Sequence, residues 1–235
     1  MTANAKVYLI PTFLHEGELR VLPQYLLEAA KECQVFFVEN ERSARRYLKS
    51  IWRDMVIDQY EWFVLHENEE NLKKEFSNHL KKGRTVGIIS EAGCPGIADP
   101  GQILVALAQD LNVIVRPLVG PSSILLALMA SGMNGQQFQF IGYLPINGQQ
   151  RQKKIRELEI ESQKKNCTQI FIETPYRNNQ LLEALTKTCQ SNTRLCIGAN
   201  ITGKEEFIRT KTIGEWKKQV PDIDKNPTIF LLYAG

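Results

Sequence analysis

The tightest constraint on this chain is a short apolar run, residues 86–89 (Val-Gly-Ile-Ile), that opens directly into a glycine- and proline-rich loop. A run without polar alternation is buried on both faces, as inner strands of parallel sheets are. Residues 90–101 follow as Ser-Glu-Ala-Gly-Cys-Pro-Gly-Ile-Ala-Asp-Pro-Gly, and an apolar helical stretch begins at Gln102. Asp99 is predicted to cap that helix, with Pro100 at its first position, where a missing N–H costs nothing. Glu91 falls just past the strand's carboxyl end, the edge at which open α/β sheets bind ligands.

The rest of the chain repeats this alternation of short apolar run and helix, which is the signature of βαβ units. Strands are predicted over 6–13, 34–38 and 113–117, and helices over 19–33, 43–51 and 71–82. Residues 52–72 read as irregular, and their aromatics Trp52, Tyr60, Trp62 and Phe63 look exposed, as a partner surface would be. Pro117 to Pro121 punctuates the chain, which gives an N-terminal α/β domain over 1–118 and a C-terminal one over 119–235. In the second, an apolar and therefore buried helix is predicted over 122–131, then strands over 138–143, 168–173, 194–199 and 228–233. A charged helix from Arg151, another over 178–189 and a hairpin-like stretch over 207–212 complete it. A nicotinamide-binding domain needs Gly-x-Gly-x-x-Gly after its first strand. Here that turn reads Pro11-Thr12-Phe13-Leu14-His15-Glu16-Gly17, which argues against a dehydrogenase.

Composition narrows the class further. The 235 residues suffice for a sizeable core, and 29 Lys and Arg against 26 Asp and Glu leave a mild net charge of +3. Five cysteines form no Cys-x-x-Cys pair and three histidines are scattered, so neither a disulfide framework nor a metal site is indicated. The longest apolar stretch, 124–130, is far short of a membrane span, and no basic-then-apolar leader opens the sequence. The expectation is a cytoplasmic protein without membrane or metal.

Three blocks carry a family resemblance. Residues 90–101 resemble the Ser-Asp-Ala-Gly-x-Pro-x-Ile-x-Asp-Pro-Gly loop of the tetrapyrrole methylase superfamily, the class III S-adenosylmethionine methyltransferases. Gly120-Pro121-Ser122-Ser123 is similar to its Gly-Pro-Ser-Ala, and Glu173-Thr174-Pro175-Tyr176-Arg177 to its Glu-Ser-Pro-His-Arg. The nearest subgroup is the RsmI-type enzymes, which methylate a ribose 2′-hydroxyl of small-subunit ribosomal RNA. Glu39-Asn40 with Arg42, Tyr143-Leu144-Pro145 with Arg151, and Asn200-Ile201-Thr202 follow its pattern as well. After the first strand only Pro11 and Thr12 are kept, and Glu91 stands where the family has Asp.

The resemblance implies two α/β domains with S-adenosyl-L-methionine in a cleft between them, and a homodimer. It implies cofactor contacts from Pro11, Ser90, Glu91, Ala92, Gly93, Cys94, Ile97, Ser122, Ser123, Glu173, Thr174, Ile201 and Thr202. No Ser/His/Asp or Cys/His set presents itself, so no general base is assigned. For RNA the local motive is charge. Arg42, Arg45, Arg46 and Lys49 recur at i, i+3, i+4 and i+7, one helical face without an acid. Arg151, Lys153, Lys154 and Arg156 form a second cluster. Arg42, Arg45, Arg46 and Arg151 are the candidate ribosomal RNA contacts. Two rivals remain: a methylase of a small molecule such as a tetrapyrrole, and a cofactor- or RNA-binding module without turnover.

Overall fold

The computed structural model describes residues 5–66 and 68–235. The chain divides into two compact units, Met1–Ser122 and Ser123–Gly235.

Unit 1 holds a five-stranded sheet in the order β3-β2-β4-β1-β5, with every neighbouring pair parallel. Its strands are β1 (Lys6–Ile10), β2 (Val35–Val38), β3 (Glu61–Val64), β4 (Val86–Ile89) and β5 (Ile114–Pro117). The helices between them are α1 (Tyr25–Glu32), α2 (Glu41–Ile51), α3 (Glu69–Lys81) and α4 (Gln102–Asp110). β2 and β4 are buried at every residue, as their unbroken apolar runs require. Gly87 in β4 is obligatory: a Cβ there would lie 2.7 Å from the ring of Phe36 in the neighbouring strand.

Several expectations change in this unit. The first strand stops at Ile10, and Pro23 holds α1 back to Tyr25, with only a 3-10 turn at Leu19–Val21 before it. α2 starts at Glu41 rather than Ser43, because Asn40 caps it by accepting from the backbone N–H groups of Arg42 and Ser43. Asp99 does not cap α4. Its Oδ1 accepts from the N–H groups of Gly96 and Gly101, both at 2.8 Å, so it knots the loop instead. A further change is β3, which falls within residues expected to be irregular. Trp62 stacks on Phe36 at 5.0 Å and Phe63 on Phe37 at 4.9 Å, each directly across the β2–β3 pairing. Tyr60 packs against Phe36 and Trp52. These aromatics belong to the unit's own packing and are not an open partner surface.

Unit 2 opens with α5 (Ser123–Ser131) and carries a second five-stranded sheet, β6-β7-β10-β8-β9. Its strands are β6 (Phe138–Tyr143), β7 (Thr168–Ile172), β8 (Arg194–Ala199), β9 (Phe207–Thr212) and β10 (Thr228–Tyr233). Its other helices are α6 (Gly148–Lys165), α7 (Asn178–Thr188) and α8 (Ile213–Trp216). Only β6 and β7 pair in parallel; the remaining pairs are antiparallel. β10 is central and wholly buried, and Phe230 stacks on Phe171 within the core. Both units are α/β, as the element pattern predicts. α5 departs from expectation: Leu125 and Met129 are exposed although the helix is apolar nearly all round.

Candidate active site

Adjacent strands β2, β4 and β1 deliver Glu39, Ser90-Glu91 and Pro11-Thr12 to one edge of the first sheet. The chain leaves β1 toward β2 on one side, and leaves β4 toward β5 on the other. Such a divergence opens a crevice at the carboxyl edge of an open sheet.

Backbone holds the 90–101 loop in that crevice. The Thr12 N–H donates to Gly93 O at 2.9 Å, and the Ser90 hydroxyl donates to the same oxygen at 3.0 Å. The Thr12 hydroxyl donates to Ser90 O. Gly93 sits at φ +75°, a conformation glycine adopts without strain. The Cys94 thiol reaches the carbonyls of Gly120 and Pro121, and burial pushes it above its ordinary range. Gly120 closes the arrangement, since a Cβ there would lie 2.2 Å from Pro11 Cβ. Pro11, Gly93, Cys94 and Gly120 are thus packed together, while Ala92 and Ile97 stay exposed.

The Glu91 side chain is also exposed. Its Oε1 accepts from the Ser43 hydroxyl, and its N–H donates to Glu39 Oε1 at 2.9 Å. Burial pushes the Glu39 carboxyl up, the Glu91 N–H pulls it down, and the charges of Asp99 and Glu91 push it up; the result is raised. Beside Glu91 lies a cavity of about 190 Å³ walled by Thr12, Phe13, Ser43, Tyr47 and Ser90. The Tyr47 hydroxyl donates to Pro11 O at 2.7 Å, and its ring meets Phe13 edge-on at 5.7 Å. Ser43 and Tyr47 escaped the sequence reading, because nothing in their spacing marks which face of α2 meets the loop.

The basic face of α2 does not consist of four free cations. Arg45 pairs with Glu41 at 2.5 Å and lies over the Trp62 ring at 5.1 Å. Lys49 donates to the carbonyls of Arg53 and Met55. Arg46 pairs with Glu16 at 3.1 Å, and both line the cavity. The exposed Arg42 side chain makes no ion pair among the described residues.

In unit 2, Glu173 is only 4% exposed. Its Oε1 accepts from Arg177 at 2.6 and 3.0 Å and from the Thr174 N–H at 2.7 Å, while Oε2 is buried without a partner among the described residues. Burial pushes this carboxyl up, but the Arg177 and Thr174 hydrogen bonds outweigh that and leave it lowered. Ile201 is buried, and Thr202 holds φ +72° with a buried hydroxyl that has no partner among the described residues. Ser122 and Ser123 are half-buried at the start of α5. Arg151 differs most from its expected place. It is 4% exposed, with one Nη donating to Gln180 Oε1 at 3.3 Å, so it lies apart from the exposed Lys153 and Arg156. Among the described residues no His, Cys, Asp and Glu group could hold a metal ion, and no helix is long and apolar enough to cross a membrane.

No protein-family model matches the chain. The fold is that of the tetrapyrrole methylases. A crystal structure of diphthine synthase matches 98% of the chain and 90% of its own length, with a TM-score of 0.70 at 14% identity. A uroporphyrin-III C-methyltransferase from Thermus thermophilus, solved with S-adenosylhomocysteine, matches 97% of each chain with a TM-score of 0.56 at 15% identity. In sequence, the ribosomal RNA small subunit methyltransferase I of Buchnera aphidicola subsp. Schizaphis graminum is 30% identical over 234 residues, 97% of this chain and 78% of that protein. The chain belongs to the ribosomal RNA small subunit methyltransferase I family.

Proposed function

We propose that this protein transfers a methyl group from S-adenosylmethionine to a ribose 2′-hydroxyl of small-subunit ribosomal RNA. The observation that carries the reading is family membership across nearly the whole chain, joined to a backbone-knotted loop at the carboxyl edge of the first sheet. The residues present suit the cofactor. In unit 1, Pro11, Ser90, Ala92, Gly93, Cys94, Ile97 and Ser122 offer backbone, small side chains and exposed apolar surface. In unit 2, Ser123, Thr174, Ile201 and the unpartnered Thr202 hydroxyl offer the same mixture, and Glu173 braces the Thr174 turn through its bond to that N–H. Glu91 presents an exposed carboxylate beside this loop. The bound cofactor would supply an electrophilic sulfonium methyl. The chain's own contribution is alignment, which by itself supplies several kcal/mol.

A homodimer in the cytoplasm belongs to the same proposal. Unit 2 exposes Leu125, Met129, Phe138 and Tyr143, apolar bulk that a second subunit would cover. Light scattering that gives a single 26.8 kDa species at micromolar concentration contradicts the dimer.

The decisive experiment incubates the protein with methyl-labelled cofactor and small ribosomal subunits, then maps the label. Label on one ribose of the RNA is expected. Label only on a small acceptor returns the small-molecule methylase. Saturable cofactor binding with no transfer to either acceptor leaves a binding module.

A further inference from the structure

The cavity beside Glu91 has walls of opposite character, and the chain itself fills one of its polar positions. On one side the Glu91 carboxylate accepts from the Ser43 hydroxyl, and it can accept from a ligand hydroxyl and repels a phosphate. On the other, Arg46 meets Glu16, with both side chains more than half exposed. Arg45 and Lys49 of α2 are committed elsewhere, to Glu41 and Trp62 and to backbone carbonyls, while Arg42 lies one helical turn before Arg46 on the same face. An exposed ion pair is weak, so an incoming anion can exchange with it.

Resting on the ribosomal RNA reading, we propose that this cavity receives one ribose-phosphate unit of the RNA. Arg46 is its phosphate contact, and Glu16 is the chain's own placeholder for that phosphate. The ribose hydroxyl faces Ser43 and Glu91, which favours RNA over DNA, and Arg42 takes a neighbouring phosphate. Glu16 therefore weakens RNA binding by competing for Arg46.

The test measures filter binding of the full chain to protein-free small-subunit ribosomal RNA over a salt series, without cofactor. E16Q should tighten binding about two- to fivefold at low salt, the range an exposed ion pair contributes. R46Q should weaken binding and reduce the log–log salt slope by about one. E16Q added to R46Q should change nothing further. E183Q, which removes an equal charge on α7, serves as the control. Tightening by E183Q equal to that by E16Q, or an undiminished E16Q effect in the R46Q background, reduces the result to bulk charge and overturns the placeholder. R46Q binding like the parent overturns the subsite, as does loss of cofactor affinity in R46Q, which would give the cavity to the cofactor. A parent that binds no RNA at any salt brings down the functional reading itself.

Discussion

Of the glutamates that follow inner strands, Glu91 in one unit and Glu173 in the other are held in opposite ways. Glu91 lies beyond β4 in the open, with the Ser43 hydroxyl on its carboxylate. Glu173 lies beyond β7 and is buried beneath Arg177, with one oxygen saturated and the other without a partner among the described residues. The first is free to act on something outside the protein. The second is committed to its own turn, since a carboxylate removed from water has to be matched where it stands. Similar positions in the chain therefore separate into a presented group and a structural one.

The contrast breaks most visibly at Arg177. R177M strands the buried Glu173 carboxylate and should give the largest loss of stability of these variants in urea unfolding at neutral pH. Replacing both residues, E173L with R177M, should recover most of that loss, because no charge is left buried. Acid sharpens the point. Glu173 is lowered in the folded protein, so its contribution is complete above the ordinary glutamate value of about 4.3 and is lost as pH falls through the lower folded value. The stability gap between parent and R177M should close as the pH drops through that window. If the gap stays constant with pH, the ion pair is not its source.

The next effect is expected at the loop that presents Glu91. G120A places a methyl against Pro11 and should cost about 1–3 kcal/mol as an overpacked site. It should also weaken cofactor binding in calorimetry, because the same contact seats the 90–101 loop. An unchanged cofactor affinity would separate Pro11 and Gly120 from the site. The smallest effect belongs to Glu91 itself. E91Q should move stability by less than about 0.5 kcal/mol, as exposed substitutions do, while reducing RNA methylation. A large loss of stability in E91Q would erase the difference between the two glutamates.

The sequence by itself determined the α/β alternation, the inner strands β2 and β4 and the loop at the edge of β4. Continuous apolar runs and Gly/Pro punctuation are local signals, set by burial on both faces and by backbone sterics. It also brought Glu91, Gly93 and Cys94 into view, because those residues are contiguous. Tertiary structure decided what depends on cross-chain neighbours. Four residues of β3 carry too little periodicity to read, and they are a strand because Trp62 and Phe63 stack on Phe36 and Phe37. Asp99 was a plausible helix cap by position, but the N–H groups nearest its carboxylate belong to the loop. Helical spacing placed Arg46 on an exposed face and grouped Arg151 with exposed cations. Only packing tied the first to Glu16 and sank the second into unit 2. A charge pattern states how many cations a face carries; the partners that neutralise them come from elsewhere in the chain, where spacing along a single helix holds no information.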